Sequence, residues 1–203
     1  MGGAHLLRNF ISLLLVLGLA GIAVPSFASK PTDEIKQTTD KILSIVKDPS
    51  LKAPARAQER RRLIRKAVDE RFDWEEMARW SLGRFWAQRT AEEKKEFITL
   101  FSDLVERTYV SKVEDYSGEK VRYDGETKEG DHAVVKVDIL TQKNKDIPVE
   151  YRLKKERNDW FVYDVSIEGV SLVGNYRMQF NSILLQSSYE NLVKRLKAKV
   201  ARD

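Results

Sequence analysis

The chain has no cysteine and only two histidines, His5 and His132, in 203 residues. No disulfide can staple it, and no thiolate can serve as nucleophile or metal ligand. A zinc site of the usual kind needs several His or Cys ligands; His5 falls in an N-terminal leader that reads as a signal, and His132 alone cannot make a histidine cluster. A Ser-His-Asp arrangement would have to use His132, which follows the turn signal Gly130-Asp131 at a solvated strand end. No P-loop, no G-x-G-x-x-G run and no carboxylate-rich calcium loop occurs. Blocks of one charge are missing too. The 36 basic residues are mixed with 31 acidic ones for a formal net charge of +5. That excess favours anionic partners weakly and forms no stripe for nucleic acid.

What is present is apolar surface. Hydrophobic residues make up 42% of the chain, enough to hold about 175 residues by packing alone. The longest apolar run stands at the start. Arg8 precedes the stretch Phe10 to Val24, Pro25 breaks it, and Ser26 and Ala28 fit the −3 and −1 positions of a cleavage site. Residues 1–28 read as a secretory signal cut after Ala28, too short for an ordinary membrane span. A single domain over 29–203 is expected to remain.

Helical periodicity governs the first half of that domain. Residues 31–50 read as a helix capped by Thr32, with Ile35, Ile42, Leu43 and Val46 near one face. A second helix over 55–72 sets Leu63, Ile64, Ala67, Val68 and Phe72 against Arg56, Arg60, Arg61, Arg62, Arg65 and Lys66. That basic face suits either solvent or an acidic partner or headgroup. Asp73 with Glu76, and Thr90 with Glu93, have the spacing of capping boxes. The first opens a segment dense in Met77, Trp80, Leu82, Phe85 and Trp86. The second opens a helix to about Tyr116 with Phe97, Phe101, Leu104, Val105 and Thr108 on one stripe.

From Glu119 the period becomes two. Val121 and Tyr123 precede an Asp124-Gly125 turn signal. Val135, Val137 and Ile139 follow, then Val149, Tyr151 and Leu153, then Phe161, Tyr163, Val165 and Ile167 after an Asn158-Asp159 turn. About four antiparallel strands are expected, apolar on the odd-numbered face throughout. Gly169 ends the sheet and Ser171 can cap a long C-terminal helix with Val173, Tyr176, Phe180, Ile183 and Leu184 in its stripe. The fold class is therefore α+β: a curved, cone-like antiparallel sheet, NTF2-like in appearance, with helices on one face. Such a half-closed cone leaves room for a slot between sheet and helices. An inward apolar face reads alike whether it packs solid or lines that slot.

Asp164 and Glu168 are the acid/base candidates, and each also suits a structural role near the strand-to-helix corner. Arg177 and Tyr176 either reach a headgroup at the slot mouth or help hold the corner. Three function classes stay open on the residues alone: a ligand carrier, a small-molecule enzyme on a cone-shaped fold, and a non-catalytic envelope adaptor. No Asp or Glu lies on the odd-numbered face of the four strand cores, which argues against the enzyme.

Four stretches together resemble the MlaC family, also called toluene-tolerance proteins or ABC-transporter auxiliary components. They are "FDWEEMARWSLGRFW", "EEKKEFITLFSDLVERTY", "VEYRL" and "DWFVYDVSIEGVSLVGNYRMQF". The resemblance runs from about Thr32 to Leu196, with Met178 standing where a small polar residue is common. It implies a periplasmic phospholipid-binding shuttle, not an enzyme, using no metal or cofactor. Its implied partners are an inner-membrane complex of an MCE ring and an ABC transporter, and an outer-membrane lipoprotein, with the shuttle itself a monomer. The implied lining joins Trp80, Phe85, the Phe97–Thr108 stripe, the odd strand residues and the Val173–Leu184 stripe, with Arg177 and Glu168 at the headgroup or corner.

Overall fold

The computed structural model describes residues 30–116, 118–142 and 145–201. The expected signal segment lies outside them. Four helices come first: α1 (Pro31–Lys47), α2 (Ala57–Asp69), α3 (Trp74–Leu82) and α4 (Ala91–Glu114). A meander follows: β1 (Lys120–Glu129), β2 (His132–Leu140), β3 (Asp146–Glu156), β4 (Asp159–Ile167) and the two-residue β5 (Val170–Ser171). The chain closes with α5 (Leu172–Gln186) and α6 (Tyr189–Val200). The five strands are antiparallel in the order β1-β2-β3-β4-β5.

The expected α+β architecture is observed, with informative local differences. The single long C-terminal helix is two helices. Ser187 is fully extended, and the Ser188 side chain accepts from the Asn191 amide to start α6, so a cap inside an apolar-periodic stretch ended one helix and began another. Asp124-Gly125 is no turn. It lies inside β1, where Gly125 takes φ 116° and the register slips past Tyr123. The β3–β4 turn falls one residue earlier than expected, on Arg157-Asn158, because Glu156 pairs with Asp159. Glu168 and Gly169, at φ 50° and 80°, form the tight turn that adds β5, the primed geometry a two-residue hairpin needs.

A second slip, between Arg152 and Leu153, pairs Leu153 with Val162. One bulge reverses the alternation of every residue beyond it. Trp160 and Val162 therefore turn inward and are buried, while Phe161 and Tyr163 turn to the other face. The rule that odd residues face inward holds on β2 and β3 and fails on the first half of β4. It fails on β1 as well, where Glu126 opposes Val135 beyond the slip.

That inward Glu126 fixes α1. Its Oε2 accepts from both the Thr32 amide, at 2.9 Å, and the Thr32 hydroxyl, at 2.7 Å. Thr32 is thus not the cap that its position suggested. Lys30 holds the cap position with no side-chain bond, and a sheet carboxylate satisfies the helix terminus instead. At the next capping box Asp73 accepts from the Glu76 amide, but Glu76 turns outward to Arg79 and the Trp80 indole. The Asp73 amide donates to the Val162 carbonyl instead. The Thr90–Glu93 box is reciprocal.

Two apolar clusters result. One unites α3 to α6 around Phe97, Phe101, Tyr176 and Phe180, whose rings meet edge-on or stacked at 5.5–6.3 Å. The other covers the inner face of the sheet and receives Ile35 of α1. Phe72 touches both, and its backbone bridges Val162 to extend the sheet past β4.

The basic face of α2 is turned toward α4. Arg60 and Arg61 both reach Glu114, and Arg65 reaches Asp103, Glu106 and Asp69 while also donating to Ser102. Burial works against the Arg65 charge, but its bonds to Glu106, Asp69 and Asp103 more than offset this and raise its pKa above the ordinary value. Arg60 and Arg65 brace one helix on another, while Arg61 keeps most of its side chain exposed.

Arg65→Ala should therefore lower the unfolding free energy by about 2 kcal/mol, the scale of lost charge-assisted hydrogen bonds. Arg61→Ala, on a mostly exposed side chain, should change it by less than about 0.5 kcal/mol; urea titration compares the two. Glu126 supplies a pH signature. Burial tends to raise its pKa, yet the Thr32 and Lys128 bonds hold it below 4.5. Its stabilisation is full above that value and is lost as pH falls through the lowered one. Glu126→Gln should cost about 1 kcal/mol at neutral pH, and the difference from the parent should shrink in urea titrations below pH 4.

Candidate functional site

A hollow of about 250 Å³ lies between the inner face of the sheet and the helices that cross it. The floor comes from β2, β3 and β4 through Ile139, Val149, Tyr151, Val165 and Ile167. The roof comes from α1 and α2 through Ile35, Ile42, Ile64 and Val68. Phe72, Trp74 and Leu172, with Val105, Tyr109 and Val113 of α4, complete the lining. Each element presents its apolar stripe, at period two from the strands and 3.6 from the helices.

The charged groups at the hollow are already committed. Arg71 donates to the Trp160 carbonyl at 2.7 Å, contacts the Thr38 hydroxyl and pairs with buried Glu34. Arg65 is held by its α4 carboxylates, and the Thr39 hydroxyl donates to the Ile35 carbonyl. The arginines therefore offer their aliphatic stems to the interior while their heads point to partners. Tyr151 is enclosed by the fold, and what surface it keeps faces the hollow. Burial, with neighbouring Tyr123, pushes its hydroxyl up to about 12, so it stays neutral across the physiological range. Such a wall binds by shape and apolar contact.

Of the residues expected to line a slot, Val105, Ile139, Val149, Tyr151, Val165 and Ile167 do so. Val121, Tyr123, Val135, Val137 and Leu153 sit in the same sheet cluster without reaching the hollow. Phe97, Phe101, Leu104, Val173, Tyr176 and Phe180 are buried in the filled helical core, and Phe85, Ile183 and Leu184 pack against it. The ring contacts there leave no slot of the expected extent. Thr108 bonds the Leu104 carbonyl and meets the Tyr176 hydroxyl. Phe161 and Tyr163 were displaced by the β4 bulge, with Tyr163 edge-on to His132. Trp80 is 45% exposed on the outer surface.

The polar candidates are placed as clearly. Asp164 is buried; one oxygen accepts from the Val165 and Val173 amides and the other from the Ser171 hydroxyl at 2.6 Å. It organises the strand-to-helix corner through hydrogen bonds, with Arg152 at 3.9 Å. Glu168 pairs with Lys145 at 2.8 Å, and its amide donates to Pro148. Arg177 joins neither carboxylate. It lies over Gly83 beside a separate surface cleft, away from the hollow. Among the described residues no group of three or more His, Cys, Asp or Glu is placed to hold a metal, and no helix is long and apolar enough to cross a membrane.

The roof residues were missing from the expected lining. Their stripes on α1 and α2 are plain in the sequence. What the sequence does not reveal is that α1 lies across the sheet and that α2 packs beside it at the hollow.

A curated relative, the intermembrane phospholipid transport system binding protein MlaC of Haemophilus influenzae, is 22% identical over 80% of this chain and 78% of its own. A solved phospholipid-binding protein from Ralstonia solanacearum, in complex with a phospholipid, superposes with a TM-score of 0.77. It is 26% identical, with 85% of this chain and 98% of that one covered. The family profile described as MlaC protein matches residues 36–198. The chain belongs to the MlaC family.

Proposed function

We propose that this protein is a periplasmic phospholipid shuttle whose acyl-chain site is the hollow between the sheet and the α1–α2 pair. The observation that carries the reading is an apolar hollow with its charged groups already paired, in a fold whose solved relative holds a phospholipid. In this reading the chain is exported by its first 28 residues and works as one domain without catalysis. It takes lipid from one membrane system and delivers it to another. An outer-membrane lipoprotein and an inner-membrane MCE ring with its ABC transporter are the partners that family membership suggests.

The energetics fit the task. Burying a methylene is worth about 0.8 kcal/mol, so two acyl chains of roughly thirty methylenes face a barrier on the order of 20 kcal/mol in open water. A largely apolar lining whose charges are paired removes most of that barrier. The volume of about 250 Å³ lies just below the ~300–1,000 Å³ common for ligand pockets. A two-chain lipid therefore requires the α1–α2 roof to move outward. That roof meets α4 through ion pairs and side-chain hydrogen bonds at its rim, contacts that can break and re-form more readily than a packed core.

Organic extraction of the purified protein followed by mass spectrometry should recover phospholipid at near one per chain. Val165→Asp and Ile167→Asp should keep the fold by circular dichroism and lose most of the lipid. Phe97→Ala should instead destabilise by about 3–5 kcal/mol with lipid content little changed. Full retention in well-folded Val165→Asp and Ile167→Asp would overturn the assignment of the hollow.

A further inference from the structure

A second concavity, of about 290 Å³, opens on the outer surface between α3 with its following turn and α5. It is lined by Arg79, Trp80, Arg84, Trp86 and Arg177 around Gly83. Its charges contrast with those that brace the fold. Arg60, Arg61, Arg65, Arg71 and Arg122 all face carboxylates, and Arg79 is neutralised by Glu76. Among the described residues no carboxylate pairs with Arg84 or Arg177.

Both free guanidiniums are nonetheless seated. Gly83 takes φ 58°, and a Cβ there would stand 3.1 Å from Arg177 Nε. The backbone thus makes room for the arginine that rests on it, and any other residue would be strained and would displace it. Arg84 lies over the Phe85 ring at 5.0 Å. Trp80 donates its indole N–H to Glu76, which fixes the ring, yet 45% of the residue stays exposed. A fixed, uncovered tryptophan beside pre-placed, unpaired arginines is the composition that dominates binding energy at protein interfaces.

We propose that this cleft docks an acidic segment of a partner protein, its carboxylates pairing with Arg84 and Arg177 and its apolar part lying on Trp80. Shape favours this occupant over a lipid surface, because a bilayer is met by projecting side chains and these line a concavity. The inference deepens the shuttle reading by giving the chemistry of a delivery partner, and the cleft shares no residue with the acyl-chain hollow.

The test uses the full folded protein and follows tryptophan fluorescence and calorimetry at low and physiological ionic strength. The probes are a glutamate-rich peptide carrying one leucine, the same peptide with glutamine for glutamate, inorganic phosphate, and phosphatidylglycerol vesicles. The acidic peptide should bind about tenfold or more tightly than its glutamine counterpart, and more weakly as salt rises. Arg84→Glu, on an exposed side chain, and Arg84→Glu/Arg177→Glu should each reduce binding by about tenfold or more. Trp80→Ala should weaken binding as well, and lipid per chain should not change in any variant. No binding of the peptide, equal binding by the Arg84→Glu variant, or the same arginine dependence for vesicles or phosphate in place of the peptide would overturn the proposal. Lipid content measured on the same samples separates that failure from failure of the shuttle reading.

Discussion

A straight helix cannot follow a sheet that twists and bends. α1 has 17 residues and so extends about 25 Å along a straight axis, while the strands beneath it curve away, more sharply at the bulges in β1 and β4. Ile35 meets the sheet at one end of α1, where Glu126 holds the helix terminus. Farther along, the surfaces part. The hollow is the space that this mismatch leaves, and the charged groups at its edge have found partners elsewhere.

The molecule divides its apolar residues between two tasks. The large aromatics of α3 to α6 interlock and bury their surface against one another, which gives a chain without disulfides a rigid half. The sheet, α1 and α2 bury aliphatic residues as well, and part of that aliphatic surface borders the hollow. The proposed cargo site therefore lies outside the aromatic cluster. In the proposed reading the roof, joined to α4 through Arg60, Arg61 and Arg65, moves while the aromatic core stays packed. The arginine-lined cleft belongs to the rigid half, so a partner docked there would not have to wait for the roof.

Much of this was legible in the residues. The change of period at Glu119 marked the passage from helices to meander, and Thr90–Glu93 and Ser171 marked true helix starts. The stretch from Trp160 to Phe180 carried both the family resemblance and the corner that Asp164 ties together. The bulges were not legible. A single inserted residue at Tyr163 exchanged Phe161 for Trp160 and Val162 on the inner face, and nothing in a run of alternating apolar residues announces such a slip. Nor could periodicity separate packed from open surface. Phe97 and Val165 both read as inward, and only the three-dimensional arrangement puts one in a filled core and the other beside space. The Arg60–Arg65 face looked free because its partners, Glu114, Asp103 and Glu106, lie some forty to fifty residues away on another helix.

The most direct test of where hydrocarbon goes is a phospholipid carrying a photoreactive diazirine near the end of one acyl chain. It would be loaded into the protein, irradiated, and the labelled peptides mapped by mass spectrometry. Label on α1 around Thr38 to Ile42, on α2 around Ile64 to Val68, and on the strand segments around Val149 and Val165 is the predicted result. Label concentrated on Phe97, Phe101 and Phe180 would contradict the account and place the chains within the helical half.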